Sequence, residues 1–183
     1  MPDSNITKQA LARTMKKLMA QQPFSKISVG DICETCGMSR KSFYYHFKDK
    51  HDLVNWVFYT EFIQTIQKKD YLSSWGLITD ICRYFYSERD FYRNALEIQG
   101  QNSFRSYFSE TMEPFLFLLT QDLFQDIDDP QFYITFFSDA LLAAIIRWLT
   151  GPECLPPEKF LSQLKATMVD FARLTLTFEE DDS

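Results

Sequence analysis

Between Gly37 and Lys50 the chain reads GMSRKSFYYHFKDK, which gathers Arg40, Lys41, His46, Lys48 and Lys50 around Phe43, Tyr44, Tyr45 and Phe47. Cationic side chains interleaved with aromatic rings and hydroxyls are suited to gripping a polyanion. Arg40 can pair in bidentate fashion with guanine O6 and N7, a contact worth about 1–3 kcal/mol of base discrimination. Lys41 suits a phosphate or a guanine edge, and Tyr44 would point outward with these two. Ser28, Ser42, Tyr45, His46 and Lys50 suit phosphate oxygens, which fix register and carry no sequence information. Helix N-termini expected at Ser28 and Ser39 would add backbone N–H donors for the same purpose. The structural alternatives are a solvated face for Arg40 and Lys41, a hydroxyl satisfied inside the fold for Tyr45, and a helix-end cap for His46.

The charge distribution supports a polyanionic partner. The chain carries a formal charge of -6, yet residues 1–50 hold nine Lys/Arg against four Asp/Glu, while residues 51–183 hold ten against twenty-one. A basic head on an acidic body would approach a duplex head first, because the body is repelled.

Other chemistries find less support. Cys33 and Cys36 spell C-x-x-C, but structural zinc needs four ligands, and no second pair stands at usable spacing, so no metal or cofactor is expected. Cys33 is expected as a small core residue and Cys36 as a half-exposed thiol. Both histidines, His46 and His51, fall in the basic segment or directly after it. There is no glycine-rich phosphate loop, no G-x-S-x-G, and no cysteine with an evident histidine partner. Carboxylates are plentiful, but nothing singles out an acid–base pair, and the chain is not expected to be an enzyme. The N-terminal sequence lacks a basic stretch followed by an apolar run, and four cysteines in such a chain read as reduced thiols, so a cytoplasmic location is expected.

The elements that must position the basic segment are helical. Hydrophobic residues make up 45% of the 183, ample for a core, whereas five glycines are few for a turn-rich sheet fold. Leu11, Met15, Leu18 and Met19 share one face of a helix expected over 6–22, closed by Pro23. Ser28 is a plausible cap for a short helix with Asp31 in its first turn, Gly37 a left-handed stop, and Ser39 the cap of the next helix. Phe43 and Phe47, four apart, form that helix's inward face. Helix, helix, three-residue turn, helix is a helix-turn-helix inside a three-helix unit. From Lys50 an amphipathic run to about 68 offers Leu53, Val57, Phe58 and Phe62 as a stripe linking head to body. Further helices are expected at about 73–87, 88–98, 102–124, 131–149 and 157–177. The breaks carry the proline, glycine and Asp/Asn of connectors. The fold class is all-α, with a helix-turn-helix domain at 1–50 and a helical regulatory and dimerisation domain at 51–183.

The segment FSKISVGDIC, followed by ETCGMS and RKSFYYHFKDKHDL, resembles the DNA-binding domain of the TetR/AcrR family of bacterial transcription regulators over about residues 7–60. The resemblance implies that Ser42, Tyr44, Tyr45, His46 and Lys50 occupy positions that commonly touch DNA. It also implies that Arg40 and Lys41 occupy the variable positions that choose bases. Cys36 departs from the small residue, such as alanine, frequent before the glycine. The body, with SSWG and RYFYSERDFYRNAL, is similar to the branch that includes regulators of dihydroxyacetone kinase genes, some of which act with a partner protein in place of a small molecule.

The aromatic helices of the body would suit an inducer cavity, as such regulators usually hold, and the candidate lining is Arg83, Tyr84, Phe91, Phe108, Phe115 and Asp139. Aromatics at helical spacing are also what an ordinary core requires. The run ITFFSDALLAAIIRWL is apolar almost all round but broken by Asp139 and Arg147, so it reads as a helix of a soluble protein and, with the last helix, as a homodimer interface. A two-fold dimer would set two recognition helices about 34–36 Å apart to read a pseudo-palindromic operator. The expected function is a sequence-specific DNA-binding regulator, a repressor responsive to a small-molecule inducer or a protein co-regulator, with no membrane role. The alternatives are an activator gated by a protein partner, and a helical adaptor that binds no DNA.

Overall fold

The computed structural model describes residues 2–71, 73–100, 103–120 and 129–181. Among them every regular element is helical. Helix α1 (Pro2–Met19) is followed by a 3-10 turn (Phe24–Lys26), α2 (Val29–Cys36), α3 (Arg40–His46) and α4 (Lys50–Phe58). A π-helical turn (Tyr59–Ile63) and a short α5 (Gln64–Ile66) continue the last of these. The body comprises α6 (Ser74–Ser87), α7 (Arg89–Leu96), α8 (Phe104–Thr120), α9 (Pro130–Thr150) and α10 (Pro157–Asp181). The expected helices are therefore present, with ends that shift by a few residues where they are described; positions 102 and 121–124 of the helix expected over 102–124 lie outside the described residues. Part of the expected break after α8 lies outside the described residues.

Two local features differ from expectation. The first helix stops at Met19, before Pro23, where the Gln21 N–H leaves the regular ladder and donates to the Leu18 carbonyl three residues back. The linking run is not one regular helix: its π turn at 59–63 inserts an extra residue into the hydrogen-bond ladder, as such turns do.

The head packs α1, α2 and α3 around Leu11, Met15, Ile32, Phe43 and Phe47, all buried. Helix α4 packs on α1 and on α8, so the linking helix belongs to the walls of both regions. Its Phe58 is fully buried and meets Phe62, Phe85, Tyr92, Phe104 and Phe108 at ring-centroid distances of 5.3 to 6.1 Å. Edge and offset ring packing of this kind adds to simple burial. Tyr92, also fully buried, satisfies its hydroxyl on Tyr84 at 2.8 Å.

Polar ties join head to body at one corner. The Lys16 ammonium on α1 lies 2.8 Å from Glu61 in the π turn and 2.9 Å from Glu88 between α6 and α7. Asn94 of α7 donates to the Met19 carbonyl at 2.6 Å, capping the end of α1. Farther out, Trp148 of α9 stacks between Tyr86 and Phe160, seating α9 and α10 on α6. Helix α9 is long and apolar enough to cross a membrane by length and composition. It packs on α6, α7 and α8, burying Ile134, Leu142, Ile145 and Leu149.

Candidate nucleic-acid interface

The geometry of the basic segment is set by caps. Ser28 and Asp31 form a reciprocal box: the Asp31 N–H donates to Ser28 Oγ at 3.1 Å, and the Ser28 N–H donates to Asp31 Oδ2 at 2.7 Å. The Ser28 N–H and the Ser28 hydroxyl, both donating to Asp31 Oδ2, hold the Asp31 carboxyl below its ordinary value. Gly37 ends α2 at φ 69° and ψ 29°, and the Met38 N–H returns to the Cys33 carbonyl at 2.8 Å. That wrap satisfies the last carbonyls of α2 and needs a residue tolerant of positive φ. Ser39 then caps α3 by accepting from the Ser42 N–H at 3.1 Å, and Asp49 caps α4 by accepting from Asp52 at 2.8 Å.

These turns fix which way α3 faces. Phe43 and Phe47 are 0% and 3% exposed, whereas Tyr44 and Tyr45 are 58% and 79% exposed. Arg40, Lys41 and Ser39 are exposed, with Ser42 and His46 half-buried. The Tyr45 ring stands edge-on to His46 at 4.9 Å, so its hydroxyl is not taken up inside the head. One face of a seven-residue helix thus presents a guanidinium, an ammonium and two phenols together.

Lys50 is placed differently from the free ammonium that a phosphate contact implies. Its Nζ donates to the carbonyls of Phe24 at 2.8 Å and Ile27 at 2.7 Å, and lies 4.2 Å from the centroid of the Phe24 ring. Burial lowers its pKa, with the Asp31 charge opposing that shift. Lys50 therefore pins the 3-10 turn and the start of α2 to the start of α4. Nothing in local spacing signals this, because the acceptors lie 23 and 26 residues away.

The residues named for a body cavity do not converge. Tyr84, Phe91 and Phe108 join the aromatic cluster around Phe58 and Tyr92, and Phe115 is half-buried beside the core. Arg83 instead faces outward and pairs with Glu158 at 3.2 Å, and Asp139 is exposed on α9. The reason is packing: the rings fill the centre by direct contact, and the two charged groups remain in water. A groove of about 410 Å³ does separate the head from α7, between Phe24, Lys50, His51, Asn94 and Ile98. Of the paired cysteines, Cys33 is buried and Cys36 directs its thiol to the Cys33 carbonyl at 3.6 Å. Burial pushes the Cys33 thiol up, away from reactivity.

Comparison with known proteins agrees with this architecture. Residues 13–57 match the family described as "Bacterial regulatory proteins, tetR family", and residues 74–170 match "Transcriptional regulator C-terminal region". An HTH-type transcriptional regulator of Staphylococcus aureus (strain MRSA252) is 30% identical over 152 residues, covering 78% of this chain and 80% of that protein. The HTH-type dhaKLM operon transcriptional activator DhaS of Lactococcus lactis subsp. lactis (strain IL1403) is 30% identical over 99 residues; that match covers 54% of this chain and about half of the relative, 53%. Among solved structures, a dihydroxyacetone kinase operon activator DhaS superposes with a TM-score of 0.67 at 23% identity, covering 92% of this chain and 97% of that one. A TetR transcriptional regulator from Streptococcus agalactiae 2603V gives 0.63 at 19% identity, covering 88% and 93%. The chain belongs to the TetR family and is a DNA-binding transcriptional regulator.

Proposed function

We propose that this TetR-family regulator binds a pseudo-palindromic operator as a homodimer, laying one α3 in each of two successive major grooves. Arg40 and Lys41 read base edges; Tyr44, Tyr45, Ser42 and His46, with the helix N-termini at Ser28 and Ser39, hold the sugar-phosphate backbone. Lys50 acts by positioning α2. Residues 1–50 form the DNA-binding unit and residues 51–183 the regulatory one, in a cytoplasmic protein that catalyses no reaction. The observation that carries this reading is the division of α3 into a buried Phe43/Phe47 face and an exposed Arg40/Lys41/Tyr44 face. A recognition helix needs both.

A second copy is the partner that the apolar face of α9 fits. Phe132 and Phe136 are 65% and 58% exposed, with Tyr133 and Phe137 beside them and Val169 exposed on α10. Large exposed rings gathered on one helix suit a recognition surface better than open water. Regulation would follow from a body conformation that shifts the linking helix and with it the spacing of the two heads. The filled aromatic centre favours a second reading of the trigger, in which a protein partner replaces a small inducer. The naming of a 30%-identical relative as an operon activator is compatible with activation as the outcome.

Selection of duplexes from a random-sequence pool by the full chain tests the reading. The expected result is a pool converging on an inverted repeat with half-site centres about one helical turn, or a multiple of it, apart. A pool that stays random, or one that converges on unpaired half-sites, would refute it.

A further inference from the structure

Gly30 is the second residue of α2, and the backbone gives no reason for a glycine there. Among the described residues the glycines with positive φ are Gly37 and Gly100. In a helix interior glycine is a poorer choice than alanine, since it loses more backbone freedom. The space around it supplies a reason. A Cβ added at Gly30 would stand 2.6 Å from Arg40 Nη2, 3.4 Å from Arg40 Cζ and 3.3 Å from Ser28 Oγ. The first separation is closer than real Cβ contacts come, and the atom that would have to yield is the tip of one flexible side chain. The Arg40 guanidinium thus lies across the first turn of α2, over a bare Cα. Its charge is also felt by Asp31, whose carboxyl the Ser28 N–H and hydroxyl already hold low.

We propose that Gly30 is a specificity-determining positioning residue: its missing side chain forms the slot in which the Arg40 guanidinium rests before it meets a base. The slot limits the rotamers from which Arg40 reaches the groove, so that less ordering is left for the moment of binding. A methyl group at position 30 displaces the guanidinium and asks the Ser28 cap oxygen, 3.3 Å away, to give by a few tenths of an ångström, and the arginine then meets its base from a different origin. The inference rests on the assignment of Arg40 to a base edge.

A double-mutant cycle on the full chain tests it. The probes are duplexes recovered from a random pool by the parent protein, together with variants carrying each single base-pair change. Arg40→Ala is expected to abolish the preference at one base pair per half-site. Gly30→Ala is expected to lower that same preference about tenfold and to change it less than about twofold once Arg40 is already alanine. The melting temperature of Gly30→Ala is expected to stay close to the parent's, because the Arg40 tip swings away and the Ser28 cap shifts only slightly, while alanine is the better helix former. If Arg40→Ala keeps the full preference, the base-reading assignment and the slot fall together. If Arg40→Ala relaxes it but Gly30→Ala does not, the slot alone falls. A Gly30→Ala defect that persists without Arg40 would instead mean that the bare Cα admits a phosphate, and it would overturn the proposal. A large loss of melting temperature for Gly30→Ala would count against it too, since it would mean that more than a side-chain tip and a slight cap shift is displaced.

Discussion

Replacing Lys50 with methionine separates two roles that a single ammonium can play at the edge of a DNA-binding head. If the group is a clamp, its removal is felt in the free protein. The ammonium donates to two carbonyls at 2.7 and 2.8 Å and covers the Phe24 ring. Hydrogen bonds from a charged donor contribute about 1.5–3 kcal/mol each. Desolvation of the half-buried ammonium, visible in its lowered pKa, offsets part of that gain. A net loss of about 2–3 kcal/mol follows. At about 2–4 °C per kcal/mol for a chain of this size, Lys50→Met should melt about 4–12 °C below the parent. Circular dichroism melts of the parent, Lys50→Met and Lys50→Arg check this. The arginine variant is expected to recover part of the loss, because its fork can reach one of the two carbonyls. Duplex affinity should fall while its salt dependence stays unchanged, since no phosphate contact is removed. An unchanged melting temperature, together with a salt slope smaller by about 0.9, would show that Lys50 neutralises a phosphate and would refute the clamp.

Three further outcomes are expected. Phe58→Ala removes a ring at the centre of the aromatic cluster and should cost about 3–5 kcal/mol in urea unfolding, with Phe58→Leu costing less; equal stability would mean that the cluster is not the core. Gly37→Ala places a side chain at φ 69° with open space around it, so the penalty is purely conformational, about 1–2 kcal/mol, and Gly37→Asn should recover part of it. Burial opposes the charge on Lys16, but Glu61 and Glu88 outweigh it and raise the pKa above the ordinary 10.5. That stabilisation is complete below 10.5 and is lost as pH climbs through the raised value, so the melting-temperature gap between parent and Lys16→Met should close at strongly alkaline pH. A gap that persists there would assign the contribution of Lys16 to packing.

What could be read in the sequence was what depends on neighbours three or four residues away. The Ser28 cap with Asp31 in its first turn, the left-handed Gly37, the Ser39 cap and the Phe43/Phe47 face are all of that kind, and each is in place. The missed features depend on residues far apart in the chain. The carbonyls that Lys50 meets sit on a turn more than 20 residues earlier, and Asn94 meets Met19 across 75 residues. Glu61 and Glu88 carry no local mark that they share Lys16. The π turn at 59–63 was hidden because the apolar stripe of Leu53, Val57, Phe58 and Phe62 continues through it. Arg83 and Asp139 suit a cavity only through the family resemblance and their polarity, and local spacing carries no sign that both stay at the surface. Gly30 could have been noticed as a glycine inside a helix that needs no positive φ, although what rests on it could not.

The most direct test of the account is equilibrium binding of the parent and Arg40→Ala to a selected duplex and to a scrambled one, titrated against salt. The parent should lose affinity for both duplexes linearly in log salt, by about 0.9 log units per neutralised phosphate, while preferring the selected site. Arg40→Ala should keep most of that slope and lose about tenfold or more of the preference. Salt-independent binding, or a preference untouched by Arg40→Ala, would contradict α3 as the helix that reads DNA.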